Sequence, residues 1–186
     1  PGRAQKMVGV SDQVLALFPF EPPYMEAVGI RCDFVGHPVV AEPVVTPADV
    51  TAFRRNHDLA DAPILLALPG SRRGEITRLA GTLGAALAPV LQAHPDMRIV
   101  VAAAHGVTDL VRAQIADWPG APLVIDAADD KRAAFKAASV ALAASGTVSL
   151  ELAAAGTPMV IAYDMNWLSR QIIKRMLKVD TVTLVN

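Results

Sequence analysis

From residue 62 onward, short apolar runs alternate with longer segments of helical spacing, and this alternation restricts the fold more than any other feature of the sequence. Strands separated by helices of about ten residues form right-handed βαβ units on a parallel sheet. Only 5% of the chain is aromatic while 53% is hydrophobic, which favours helices packed on a buried sheet over an all-β sandwich. We therefore predict an α/β fold, a Rossmann-like parallel sheet with helices on both faces, with strands at residues 64–68, 98–102, 123–125, 140–144 and 159–162 and helices at residues 75–93, 109–117, 130–138, 147–155 and 167–178.

The first sixty residues lack this alternation and are rich in proline-terminated short runs. We interpret residues 1–40 as a remnant of the end of a preceding Rossmann-like domain, and residues 41–61 as a linker that includes a short helix at 49–56. Residues 62–186 then form the main α/β domain. Because the chain starts without an initiator Met and stops without a polar tail, we expect it to be truncated at both ends.

Charge, cysteine content and hydropathy exclude several classes of protein. The formal net charge is −1, which gives no indication of nucleic-acid binding. Cys32 is the only cysteine, so no intrachain disulfide forms, and we expect a small buried side chain in a reducing compartment. No apolar run approaches the roughly 18–20 residues that span a bilayer. The sequence predicts a cytoplasmic protein without a membrane-spanning segment.

The first loop with candidate chemistry joins the strand at 64–68 to the helix at 75–93. Gly70 permits close backbone approach, Ser71 is able to cap free amides, and Arg72 offers a bidentate partner for phosphate. The negative charge of Glu75 interacts favourably with the positive end of the helix dipole. The alternative is an ordinary Gly/Ser turn with solvated arginines, and the glycine pattern matches neither a Walker loop nor a dinucleotide fingerprint.

The second such loop joins the strand at 140–144 to the helix at 147–155. Ser145, Gly146 and Thr147 stand where free amides and the positive dipole end suit a diphosphate. Glu151 lies about one turn further along, where a carboxylate accepts hydrogen bonds from a ribose diol. The alternative is an N-capped helix with one charged residue, but a buried acid without partners is costly.

Several motifs carry a resemblance. The run SGTVSLELAAAGTP at 145–158 resembles the donor-domain motif of glycosyltransferases with two Rossmann-like domains, the GT-B architecture. Four segments in order are similar to the lipid-A-disaccharide synthase family: LALFPFE at 15–21, FVGHP at 34–38, LPGSRRGEI at 68–76 and SGTVSLE at 145–151. The strand PMVIAY and the chain's last residues fit as well, although Val185 replaces an expected Pro.

The resemblance implies an inverting transferase that moves 2,3-diacylglucosamine from its UDP donor to 2,3-diacylglucosamine 1-phosphate, in lipid A biosynthesis of Gram-negative bacteria. UDP leaves, and neither a cofactor nor a metal is expected, because helix dipoles and an arginine are able to stabilise the diphosphate. The resemblance adds Asn186 to the nucleotide-sugar-binding residues of the two loops. It also includes Glu21, Glu75 and Tyr163 in the family motifs without assigning them a role.

The catalytic base and the acceptor pocket are expected in the preceding domain, most of which this chain lacks. We therefore assign no base here. The four histidines are interpreted as loop or surface residues: His37, His57, His94 and His105.

Two further patterns have more than one interpretation. The acids Asp126, Asp129 and Asp130 suggest a metal site, but a helix N-cap near Asp130 is the preferred interpretation. Residues 167–179 form a basic amphipathic pattern that suits the surface of the inner membrane, where the enzyme would be peripheral. The alternative for that segment is an ordinary sheet-covering helix.

Two rival functions remain open. Another UDP-sugar enzyme of the same architecture, such as the N-acetylglucosaminyltransferase that makes a peptidoglycan lipid intermediate, has a similar motif at 145–158, but the Pro-Phe-Glu and Pro-Gly-Ser-Arg segments favour the first assignment. A non-catalytic nucleotide-binding module is the second rival. Oligomerisation is not decided by the sequence.

Overall fold

The computed structural model describes residues 2–164. Contacts divide the chain into two compact units, the first ending at Val44 and the second beginning at Val45. Among the described residues, no helix has both the length and the apolar character needed to cross a membrane.

The first unit contains a small parallel sheet and short helices. Strands β1 (Gln13–Ala16) and β2 (Arg31–Phe34) pair in parallel, with Val14 opposite Cys32. Cys32 is buried as predicted, and burial is the main cause that raises the pKa of its thiol. The helices are α1 (Gly2–Gln5), α2 (Pro22–Glu26) and a 3-10 turn at Pro38–Ala41.

The second unit is built on a five-stranded parallel sheet with the order β5-β4-β3-β6-β7. In chain order its strands are β3 (Ile64–Leu68), β4 (Arg98–Ala102), β5 (Leu123–Ile125), β6 (Val140–Ala144) and β7 (Met159–Ala162). All five have the bounds predicted from the sequence. The register places Leu66 of β3 between Val100 of β4 and Ala141 of β6, so the central strand is hydrogen-bonded on both sides.

Helices cover both faces of this sheet, which confirms the predicted α/β class. They are α3 (Pro47–Asn56), α4 (Arg73–Ala93), α5 (Thr108–Gln114), α6 (Ala128–Ala137) and α7 (Val148–Ala155). On one face, buried residues of α4 and α5 pack with Trp118 against the sheet. On the other face, Phe53 of α3, Phe135 of α6 and Leu152 of α7 form a second core.

The boundary between the units differs from the predicted one. Helix α3 lies within residues 41–61, which the sequence suggested as a linker, and it belongs to the second unit. Its N-terminus is held by Thr46 and Asp49, whose side chains each accept a hydrogen bond from the other residue's backbone N–H. At the far end, Arg54 donates to the carbonyl oxygens of Ala62 (2.9 Å) and Ala137 (3.1 Å). These bonds make α3 a folded part of the α/β unit.

The helix starts differ slightly from the prediction. Helix α4 begins at Arg73 and not at Glu75, and α6 begins at Ala128 and not at Asp130. Helix α5 ends at Gln114, three residues before its predicted end. The predicted helix over residues 167–178 lies outside the described residues.

Candidate functional site

The loops after β3 and β6 border one cleft at the carboxyl ends of the central strands. This is where open parallel sheets bind their ligands. The cleft has a volume of about 390 Å³, and every predicted binding residue of both loops lines it. Those residues are Gly70, Ser71 and Arg72 with Glu75 on one side, and Ser145, Gly146, Thr147 and Glu151 on the other.

Glu75 holds the loop before α4. Its Oε2 accepts hydrogen bonds from the backbone N–H groups of Ser71 (3.2 Å) and Arg72 (3.4 Å), and its Oε1 accepts one from the Arg72 guanidinium (2.9 Å). Helix N-termini attract carboxylates in this way because their first amides lack partners within the helix. The capping role predicted for Ser71 is therefore filled by Glu75, whose longer side chain reaches back over the turn.

Gly70 makes this reach possible. Its φ of +119° lies in a region that favours glycine, and an added Cβ would stand 2.8 Å from the Cβ of Glu75 and 2.9 Å from its Oε2. The close approach predicted at Gly70 is made here by the Glu75 side chain of α4.

The loop before α7 is arranged differently. The Ser145 N–H extends the sheet by donating to Ala162 (3.0 Å). Ser149 is only 1% exposed. Its hydroxyl donates to the carbonyl oxygen of Gly146 (2.8 Å) and so orders the turn. Within residues 2–164, no group accepts a hydrogen bond from the N–H of Gly146, Thr147 or Val148. Three amides at this helix N-terminus are thus available to an anion.

Glu151 is half-buried in the wall of the same cleft. In the described part of the chain its carboxylate has neither a hydrogen-bond donor nor a cation within bonding distance. A half-buried carboxylate loses solvation and is stabilised by a partner. Glu151 is therefore the carboxylate of this cleft that is open to a ligand, whereas Glu75 is already satisfied.

Lys131 is a cleft residue that the sequence reasoning missed. It lies in the first turn of α6, directly after β5, and its side chain lines the cleft beside Gly146 and Glu151. The signal that could have found it is its place after a strand end, which was obscured by the neighbouring acids.

Those acids do not act as predicted. Helix α6 begins at Ala128 with Ala127 as its cap residue, so the predicted N-cap near Asp130 is wrong. Asp130 is the third residue of the helix and pairs with Nε2 of His57 (3.0 Å), while Asp129 pairs with Arg132. Over residues 2–164, no three His, Cys, Asp or Glu side chains come close enough to share a metal ion.

The family motifs also include Glu21 and Tyr163, which are not among the residues that line this cleft. In the first unit, Glu21 accepts hydrogen bonds from the N–H groups of Leu17 and Phe18 (both 3.0 Å) and so holds the turn after β1. Tyr163 follows β7 and is 53% exposed. Asn186 and the amphipathic segment at 167–179 lie outside the described residues, and their roles stay predictions.

Three of the four histidines have the surroundings expected of loop or surface residues. Nδ1 of His37 accepts from Val39 N–H (3.2 Å), and His94 and His105 are exposed. His57 stands at the C-terminal end of α3, where its ring packs against that of Phe53 with a centroid separation of 4.9 Å and its Nε2 pairs with Asp130.

Comparison with known proteins identifies relatives over the whole chain. A family model described as lipid-A-disaccharide synthetase matches residues 1–186. The lipid-A-disaccharide synthase of Ruegeria pomeroyi is 63% identical over 100% of this chain and 48% of its own length. That of Rhodospirillum centenum is 47% identical, covering 100% of this chain and 46% of the relative. The chain thus spans about half the length of the curated relatives it matches.

Solved structures show the same fold at low identity. A UDP-GlcNAc 2-epimerase from Neisseria meningitidis, bound to UDP-GlcNAc, matches with a TM-score of 0.64 and 10% identity over 89% of this chain and 48% of that one. A putative UDP-N-acetylglucosamine 2-epimerase from Listeria monocytogenes matches with a TM-score of 0.62 and 16% identity. This match covers 96% of this chain and 50% of that one. At these identities the likeness shows the fold alone.

Proposed function

The chain belongs to the lipid-A-disaccharide synthetase family, and on that premise we propose that its second unit binds UDP and the UDP-linked sugar of a glycosyltransferase. The reaction is the transfer of 2,3-diacylglucosamine from its UDP donor to 2,3-diacylglucosamine 1-phosphate. In this proposal the chain contributes the donor site. The acceptor pocket and the base belong to the domain that the family resemblance expects before it.

The observation that carries the proposal is the convergence of two strand-to-helix loops on one cleft. One loop presents three free amides at the N-terminus of α7, and the other presents the Arg72 guanidinium. Amides at a helix N-terminus together with a guanidinium are a suitable environment for a diphosphate. Glu151 stands along the same wall, where its carboxylate suits the two hydroxyls of a ribose.

The geometry assigns different tasks to the two loops. Two amides of the α4 loop are held by Glu75, so a phosphate reaching them would have to displace a carboxylate that is already bonded. The amides before α7 need no such displacement. We therefore propose that the diphosphate binds at α7 and that the α4 loop contributes chiefly the charge of Arg72.

We further propose that binding requires no divalent metal. Helix amides and cationic side chains supply positive charge at the diphosphate, which is the task that Mg²⁺ performs in many nucleotide sites. The membrane association suggested by residues 167–179 stays a prediction from the sequence.

Calorimetric titration of this chain with UDP, UMP and ADP tests the proposal. We expect UDP to bind more tightly than UMP, because the second phosphate gains contacts with the α7 amides, and the affinity for UDP to be unchanged by EDTA. Binding that needs added Mg²⁺ would refute the metal-free site, and equal affinity for UDP and UMP would refute the diphosphate assignment.

A further inference from the structure

The cleft contains a second cation to which neither the family resemblance nor the sequence motifs assign a role. Among the described lining residues, the cations are Arg72 and Lys131 and the carboxylates are Glu75 and Glu151. The two positive and two negative charges of these side chains sum to a formal charge of zero. A diphosphate brings more than one negative charge into this cleft, so each cation that is free to approach it matters.

The two cations are not equally free. Arg72 already donates to Glu75 at 2.9 Å. Lys131 has its Nζ 5.8 Å from the centre of the Phe135 ring, and within residues 2–164 it has no carboxylate within ion-pairing distance. The aromatic face holds the ammonium weakly, at an energy of about 0.5–1 kcal/mol in exposed sites. Lys131 is therefore the cleft cation whose charge is available.

The position of Lys131 also matches the ligand expected there. It lies in the first turn of α6, and β5 and β6 place that turn at the same edge of the sheet as the N-terminus of α7. Its side chain is half-buried and lines the cleft along with Gly146, Thr147 and Glu151. A lysine is a compact charge on a flexible stem, which suits a phosphate oxygen better than a neutral sugar or base.

We propose that Lys131 binds the diphosphate of the UDP-linked ligand, as a second cation in addition to Arg72. This inference rests on the proposed function of the cleft and adds to it a residue from a third element, the first turn of α6. Arg72, which precedes α4, and Lys131 of α6 then neutralise a diphosphate that binds the amides at the N-terminus of α7.

The test measures UDP, UMP and uridine binding to Lys131→Met, which keeps an apolar stem and removes the charge. We expect UDP affinity to fall about tenfold, since a hydrogen bond to a charged group is lost. Uridine has no phosphate, and its affinity should change less than about twofold, an energy below 0.5 kcal/mol. Lys131→Arg restores the charge and should recover most of the UDP affinity.

Lys136 provides the matched control on the same helix. It is exposed, donates to the carbonyl of Ala155 (3.1 Å) and does not line the cleft. Lys136→Met removes the same charge from α6, and UDP binding should stay near that of the unaltered chain. Equal losses in the two Met variants would show a general charge effect and overturn the assignment of Lys131.

The outcomes separate this inference from the function it rests on. Suppose that the unaltered chain binds UDP. If Lys131→Met then binds UDP equally well, or if its uridine affinity falls as much as its UDP affinity, Lys131 is not a phosphate ligand, while the proposed UDP site still holds. If the unaltered chain does not bind UDP at all, the proposed function falls and this inference falls with it.

Discussion

Replacing Arg72 with alanine is expected to weaken UDP binding by about 1.5–3 kcal/mol, the range for hydrogen bonds to charged groups. Arg72 lines the cleft, and its side chain is 82% exposed. One of its nitrogens donates to Glu75, which leaves the remaining N–H groups for a phosphate. The substitution also leaves Glu75 without its cation beside the bound diphosphate, and this repulsion adds to the loss.

Two controls identify the origin of the effect. Uridine should bind Arg72→Ala almost as it binds the unaltered chain, because the guanidinium is assigned to phosphate. Arg73→Ala removes the adjacent arginine, which does not line the cleft, and should leave UDP affinity nearly intact. If uridine and UDP lose the same affinity in Arg72→Ala, the loop has lost its structure and the phosphate assignment is contradicted.

Replacing Glu151 with glutamine is expected to weaken UDP binding by about 1–3 kcal/mol, with folding largely retained. Glutamine keeps the volume but replaces one charged acceptor oxygen with a donor, so one of two hydroxyl contacts is lost. The structure supports this size of effect because the Glu151 carboxylate is half-buried and has no partner among residues 2–164. Calorimetry measures the loss, and thermal unfolding of both proteins verifies that the fold persists.

The control for Glu151 is a change in the ligand. 2′,3′-Dideoxy-UDP lacks both hydroxyls and should bind the unaltered chain and Glu151→Gln almost equally. Should the variant lose as much affinity for the dideoxy ligand as for UDP, Glu151 has a structural role and the ribose assignment is wrong.

The strands could be predicted to the residue because their signal is local. Ile64–Leu68 is an unbroken apolar run between Pro63 and Pro69, and it is buried at all five positions in the centre of the sheet. The helix starts were less predictable, since they depend on side-chain bonds. Glu75 moves the start of α4 to Arg73 by reaching back to two amides, and no periodicity in the sequence encodes that reach.

The site residues could be predicted where a loop directly follows a strand. They were missed where tertiary packing determines whether a residue reaches the cleft. Both glycine-containing loops stood out because each follows a strand and combines glycine with polar side chains that suit a phosphate, and the structure brings them to one cleft. Lys131 did not stand out, because it lies inside α6 beside Asp129 and Asp130, and its place in the cleft depends on how α6 packs on the sheet. The folding of α3 onto the second unit was likewise hidden, since Phe53 and Arg54 meet partners far along the chain.

Amide chemical shifts during titration with UDP in EDTA give the most direct test of the account. A diphosphate should bind the free N–H groups of Gly146, Thr147 and Val148, while Glu75 keeps those of Ser71 and Arg72. We expect the amide signals of Gly146, Thr147 and Val148 to shift most, with the Ser71 and Arg72 amides shifting less and uridine producing smaller changes at all five. Saturable UDP binding that leaves the three α7 amides unshifted would contradict the account.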